Sequence, residues 1–195
     1  DNKLYRGAVA GAGEIGHITI QEDGPVCACG NRGCLEAFAS DAALVREMKQ
    51  MVESGRHSII TRIAAEEDRS IDRPMIARAA KEGDDAALCV VRRAGEHIGV
   101  GLATLVNTLN PEMIVVAGEA ATDFGGLLLE PMRDSIRRRS LSVLAQRLEV
   151  VESSLGDRIW IVGAASLVID DFFGAPIYER HEHVAAVSIP DLMQG

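Results

Sequence analysis

The sequence is poor in aromatic residues. One Trp, two Tyr and four Phe make up 4% of its 195 residues. A core built from this chain must rest on Ala, Val, Leu and Ile. Positive charge is also in short supply. Twenty Lys and Arg face 29 Asp and Glu, for a formal net charge of −9. A duplex-binding surface needs a basic patch to replace phosphate counterions. The one dense basic cluster, Arg137-Arg138-Arg139, falls near the end of an expected helix, where cations suit the dipole. DNA contact is therefore expected from a part outside this chain. No apolar run approaches the roughly 18–20 residues of a membrane span. No charged segment followed by an apolar stretch marks a secretory signal. The expected location is cytoplasmic. The first residue is Asp1, and DNKLYRG reads like a turn leading into the middle of a domain, so a fragment or processed piece is expected.

What is present points to a globular α/β domain. Hydrophobic residues account for 47% of the chain and charged residues for 25%, ordinary values for a soluble fold. Residues 4–20 read as short strand pieces about a glycine-rich turn, notably His17-Ile18-Thr19-Ile20. Residues 35–55 read as one helix through Leu35, Phe38, Leu44, Met48 and Val52, with Gly55 as its stop. Residues 56–71 are polar and ambiguous. Asp72-Arg73-Pro74 opens a helix to about Lys81. From Asp84, a stripe of Leu88, Val91, Gly95, Ile98, Leu102, Leu105 and Leu109 marks a long helix ending at Asn110-Pro111. Met113 to Ala117 reads as a fully buried strand. A helix over 124–139, a strand near 147–152 and a helix over 158–173 complete the pattern. Residues 174–195 form a tail with a strand-like piece at His183 to Ile189.

The chemistry concentrates in one loop. Three of the four cysteines lie together in Cys27-Ala-Cys29-Gly-Asn-Arg-Gly-Cys34, and His17 precedes them by ten positions. One imidazole and three thiolates form a tetrahedral Zn²⁺ set with every position filled by protein. A closed set of this kind is structural, not a Lewis-acid centre. Gly30 and Gly33 let the loop fold back around an ion. Cys89, on the long helix, reads as a small buried hydrophobe. Gly11-Ala-Gly-Glu-Ile-Gly16 matches a dinucleotide fingerprint in letters only. That fingerprint needs a strand before it and a helix after it; neither is expected here. His181-Glu182-His183 in the tail is a weak second metal candidate.

Glu14-Ile-Gly-His17 followed by Cys27-x-Cys29-Gly-x-x-Gly33-Cys34-Leu-Glu36 resembles the signature of the ROK family of repressors and sugar kinases. Asn110 to Gly118, Gly125 to Arg137 and Leu155 to Ala165 resemble later segments of the same family. The resemblance implies an α/β, actin-like (ribonuclease-H-like) ATPase fold, with residues 1–195 as its C-terminal lobe. Residues 11–36 would be its sugar and zinc loop, and 84–173 its nucleotide-side core. It also implies Glu14, His17 and Glu36 as sugar contacts, His17 and the three loop cysteines as zinc ligands, and a homodimer or homotetramer. Carboxylates suit adjacent sugar hydroxyls because each offers two acceptor oxygens. One imidazole nitrogen can meet zinc while the other meets a hydroxyl.

The family's phosphate loop and catalytic aspartate have no counterpart here, so no catalytic residue is expected in this chain, and ATP with Mg²⁺ enters only under a kinase reading. The turn Ala117-Gly118-Glu119 places a carboxylate where family kinases carry small residues near the nucleotide. Like charge there disfavours phosphate. The first expectation is thus a transcriptional regulator that responds to a hexose-type effector. The alternative is the C-terminal part of an ATP-dependent sugar kinase. A third reading is a degenerate binding protein.

Overall fold

The computed structural model describes residues 4–173, and the chain divides into two compact units. The tail candidates at 181–189 lie outside the described residues. The larger unit runs from Ile15 to Asp157. In chain order its elements are α1 (Glu36–Ala39), α2 (Asp41–Glu53), α3 (Ile60–Glu66), α4 (Arg73–Lys81), α5 (Asp85–Leu109), β1 (Met113–Val116), α6 (Glu119–Phe124), α7 (Gly126–Arg139), α8 (Ser142–Ala145) and β2 (Glu149–Glu152). The smaller unit combines residues before Ile15 with a last helix, α9 (Ile159–Phe173).

Side-chain caps start three of the helices, α2, α4 and α5. The side chain of Asp72 accepts from Met75 N at 3.0 Å, with Pro74 in the first turn of α4. Asp84 serves two helices. Its Oδ1 accepts from Ala87 N, and its Oδ2 from Ile59 N at the entry to α3, both at 2.8 Å. The second bond orders the polar stretch that the sequence leaves ambiguous. Asn110 ends α5 in the left-handed region, with φ 47°, and Pro111 bars continuation.

The expected helix over 35–55 is two helices. Ser40 breaks it: extended at ψ 162°, it ends α1 and caps α2 by accepting from Ala43 N. The expected helix over 124–139 is α7, and α6 before it is a short helix not expected from the sequence. Gly125, with φ 53° and ψ −131°, lies outside helical geometry between them.

The core is aliphatic, as the composition demands. Met48, Ile60, Ile63, Ile76, Val90, Val91, Met132 and Ile136 are buried in one cluster, and Phe124 is its one fully buried aromatic. The buried face of α5 is rotated from the expected stripe. Val90, Val91, Ala94, Leu102 and Val106 are buried, whereas Leu109 is exposed. Gly95 and Gly99 explain the shift. A Cβ on Gly95 would stand 2.5 Å from Leu128 O, and one on Gly99 2.6 Å from Met132 O. The two helices run side by side in the same direction, and glycine permits their backbones to meet. Ser135 Oγ then donates to Glu96 O at 2.8 Å across the contact.

β1 and β2 pair in parallel, Met113 with Glu149 through Val116 with Glu152. Arg133 of α7 fastens them by donating from Nε and Nη2 to Val150 O at 3.1 and 2.7 Å. The strand expected to be fully buried is not. Met113 and Val115 are 50% and 54% exposed, while Ile114 and Val116 pack toward the core. Within this unit the helices supply a core on one face of the strands only.

In the smaller unit, Ala12 N donates to Arg6 O at 3.1 Å, closing a turn through residues 7–11. α9 carries Trp160, Ile161 and Val168 at its surface. No helix among the described residues is long and apolar enough to cross a membrane.

Candidate functional site: a cysteine and histidine knuckle beside a carboxylate

The strand expected at 17–20 is a 3-10 turn, Ile15–His17, followed by a single antiparallel bridge between Thr19 and Cys34. That bridge starts a compact knuckle. Ile20 N donates to Gly33 O at 2.8 Å, and Leu35 N to Ile18 O at 2.9 Å. Inside it, Val26 bridges Arg32, Cys27 N donates to Asn31 O, and Gly30 N to Cys27 O. Gly30 and Gly33 have φ of +90° and +71°, the region that favours glycine. The glycine-rich run at 11–16 has no helix after it beyond the 3-10 turn, so the dinucleotide motif fails on context.

This folding brings His17, Cys27, Cys29 and Cys34 together, with one donor atom from each within 4.8 Å of the others. His17 Nδ1 lies 3.7 Å from Cys27 Sγ, and Cys29 Sγ lies 3.7 Å from Cys34 Sγ. Zinc bonds of about 2.0–2.3 Å imply tetrahedron edges of about 3.4–3.8 Å. The set fits a tetrahedral metal ion. Cys34 is fully enclosed and Cys27 buried. Burial, with the adjacent Cys29 and Cys27, pushes the Cys34 thiol up to about 11. A hydrogen bond from the Asn31 backbone draws Cys29 the other way. Three thiolates this close need a cation to hold their charge.

Glu36, the first residue of α1, abuts the cluster. Its Oε2 is 3.5 Å from His17 Nδ1 and 3.9 Å from Cys27 Sγ. The same imidazole edge therefore faces both the cysteine set and the carboxylate. With Nδ1 turned to the cluster, Nε2 is the nitrogen left for another partner. α1 is pinned to α5 on its far side: the Leu35 side chain packs over Gly101, and the Phe38 and His97 rings lie 4.7 Å apart. Glu14 is exposed and belongs to the smaller unit.

Gly118 and Glu119 stand at the β1–α6 turn, with Gly118 at φ 101°. Glu119 is largely exposed yet anchored, because Arg73 Nη2 donates to its Oε2 at 2.6 Å. Sequence reasoning passed over Arg73. The available signal was a cation in the first turn of a helix, against the dipole. Cys89 is half-buried, not enclosed. It lines an open groove of about 600 Å³ with Arg56, Arg92, Leu127 and Glu130.

The chain is similar to known proteins along most of its length. The family model described as "ROK family" matches residues 1–171. The chain belongs to the ROK family. It is 41% identical over 178 residues to the xylose repressor of Caldicellulosiruptor bescii, covering 91% of this chain and 44% of that one. It is 34% identical over 168 residues to the DNA-binding transcriptional dual regulator NagC of Escherichia coli, covering 86% of this chain and 39% of NagC. This ROK chain thus spans less than half the length of those relatives.

Two solved structures carry the fold. A ROK family transcriptional regulator, a homologue of E. coli MLC, superposes with TM-score 0.71 at 32% identity, over 78% of this chain and 37% of its own. A ROK family glucokinase from Streptomyces griseus, solved with glucose and AMPPNP, superposes with TM-score 0.76 at 34% identity, over 85% and 54%. The fold is therefore the actin-like ATPase fold of ROK proteins, α/β in class, as the motifs implied.

Proposed function

We propose that this chain is the sugar-sensing part of a cytoplasmic transcriptional repressor, holding a hexose- or pentose-type effector beside a structural zinc. The carrying observation is the shared edge of His17: Nδ1 faces Cys27 Sγ at 3.7 Å and Glu36 Oε2 at 3.5 Å. A Zn²⁺ held by His17, Cys27, Cys29 and Cys34 would be enclosed by protein, so its role is to fix the ring and the loop. The fixed ring presents Nε2, and Glu36 presents acceptor oxygens to neighbouring hydroxyls. Glu14 is a further candidate sugar contact through its place in the family-like motif alone. Charge-assisted bonds of this kind are the stronger ones available to a sugar. DNA contact belongs to a region outside this chain, since its net charge is −9. A homodimer or homotetramer is the expected assembly.

The kinase reading rests on the likeness to the Streptomyces griseus glucokinase. Two features favour the regulator. Xylose repressor and NagC are names of relatives that match along most of this chain. Three carboxylates surround one Arg73 beside the β1–α6 turn: Glu119 and Asp123 of α6 and Asp41 of α2. That excess of negative charge disfavours a nucleotide phosphate.

Calorimetric titration tests the reading on the protein at its full natural length, loaded with zinc, against D-xylose, D-glucose and N-acetyl-D-glucosamine. One of the three should bind, and Glu36→Ala should weaken it at least about tenfold while zinc content stays the same. Unchanged affinity in Glu36→Ala removes the assignment. ATP-dependent phosphorylation of the bound sugar restores the kinase alternative.

A further inference from the structure

Arg73 occupies a position that helix physics disfavours. It is the first residue of α4, where the free N–H groups attract anions rather than cations. Its side chain is only 10% exposed. Nη2 pairs with two carboxylates of α6, Glu119 at 2.6 Å and Asp123 at 3.3 Å. Nε faces Asp41 of α2 at 3.6 Å, too far for a hydrogen bond, and has no other partner although it is shielded from solvent. A buried donor left unpaired is a standing cost. The guanidinium is thus satisfied toward α6 and unsatisfied toward α2. Movement of Asp41 from 3.6 Å to about 2.9 Å would complete the set.

Asp41 is mechanically joined to the candidate effector site. It begins α2, and Ser40 is both the end of α1 and the cap of α2. Arg46 Nη2 of α2 donates to Ala37 O of α1 at 2.6 Å, so the two helices form one braced elbow. The other end of that elbow is Glu36, whose Oε2 stands 3.5 Å from His17 Nδ1.

We infer that Arg73 is a positioning residue that transmits occupancy at Glu36 to the β1–α6 turn, by exchanging an open Nε–Asp41 contact for a hydrogen bond. This rests on the proposed effector role of Glu36. A ligand that draws Glu36 toward itself tilts the α1–α2 elbow and carries Asp41 with it. The guanidinium is planar and rigid, so a shift at Nε is felt at Nη2. Glu119 and Asp123 follow, and Glu119 is the first residue of α6. The open contact that the structure shows and the closed hydrogen bond of the proposal are the two discrete arrangements that coupling between sites requires.

Hydrogen exchange of the full-length, zinc-loaded protein tests the relay, with D-xylose, D-glucose and N-acetyl-D-glucosamine each added and calorimetry run in parallel. The bound sugar should change exchange of the amides at 118–124 at least about fivefold. Asp41→Asn sits on a largely exposed side chain and should fold normally. It should keep sugar affinity within about twofold and lose most of the change at 118–124; Arg73→Met should do the same. Sugar binding with no change at 118–124 in the native protein overturns the relay alone, as does a change that persists undiminished in Asp41→Asn. Loss of sugar binding in Asp41→Asn also overturns it, because Asp41 would then belong to the binding site. Absence of any sugar binding to the native protein removes the effector reading and the relay with it, and calorimetry distinguishes that case from the others.

Discussion

Gly33 lies so close to Gln21 that a methyl group on its Cα would overlap the Gln21 carbonyl oxygen. Backbone, not a flexible side chain, fills that space. Its neighbour Gly24 is in similar confinement, 2.7 Å from the Gly33 Cα once a Cβ is added. The two glycines allow the strand-like piece after His17 and the cysteine loop to close on each other. The φ of +71° at Gly33 adds strain for any other residue.

Gly33→Ala should therefore damage the knuckle more than its size suggests. A loss of roughly 2–4 kcal/mol is expected from overlap and left-handed strain together. Urea unfolding followed by circular dichroism measures it. Gly30→Ala serves as the comparison: its φ is +90°, but a Cβ there meets nothing within 4 Å. It should lose only the strain, about 1–2 kcal/mol. Equal losses in the two variants would show that crowding at Gln21 is unimportant.

The cysteine set predicts metal content. The native chain should carry about one zinc, as a closed four-ligand site holds a single ion. Cys34→Ala should lose nearly all of it, while Cys89→Ala, outside the set, should keep it. The enclosed Cys34 thiol, pushed up to about 11, must give up its proton to bind a metal. Zinc affinity should therefore fall as pH falls, with protons released on binding. Metal analysis after dialysis at several pH values checks both statements. Retention of zinc by Cys34→Ala would contradict the assignment.

Asp84 offers a test of the scaffold apart from the metal. One carboxylate holds Ala87 N and Ile59 N, each at 2.8 Å. Asp84→Ala removes a helix cap and leaves a second N–H without its acceptor. The expected cost is about 2–3 kcal/mol. Asp84→Asn keeps one acceptor oxygen but turns a donor toward the other N–H, so it should fall between the two. Thermal or urea unfolding orders the three proteins; a neutral Asp84→Ala would mean that water replaces both bonds.

The features legible in the sequence share a local cause. α4 and α5 announce themselves through Asp72, Asp84 and Pro74, whose effects act within one turn. The metal set is legible because its donors lie between positions 17 and 34, and the family because its motif is contiguous. Other features were hidden for physical reasons. Leu35, Phe38, Leu44 and Met48 keep near-helical spacing across Ser40, so the break left no mark on periodicity, although Ser40-Asp41 was a capping signal. Ile18 to Ile20 has strand composition but finds partners only at the ends of the cysteine loop, so it makes one bridge and no ladder. The buried face of α5 was set by the backbone of α7 at Gly95 and Gly99, which no period on α5 alone encodes. The Arg73–Glu119 pair joins residues 46 positions apart, so the unfavourable place of Arg73 in the first turn of α4 is a local signal but nothing local names its partner.

His97 gives the fold a distinct acid sensitivity. Its ring lies tilted against Phe38 with centroids 4.7 Å apart, and burial lowers its pKa below the ordinary histidine value. Glu47 and Glu96 oppose that shift, while Arg93 and Arg139 add to it. The unfolded chain binds a proton near pH 6.5, before the folded protein does. Stability from this residue is therefore full above about pH 6.5 and declines as pH falls toward the lower folded value. His97→Phe keeps a ring against Phe38 and removes the proton site. Between pH 7.5 and 5.5 its Tm should fall less than that of the native protein, by on the order of 1–3 °C. Acid release of metal from the cysteine knuckle acts on both proteins and cancels in the difference. Identical pH slopes would mean that His97 titrates alike in the folded and unfolded chains, and the Phe38 contact would then be packing without an electrostatic consequence.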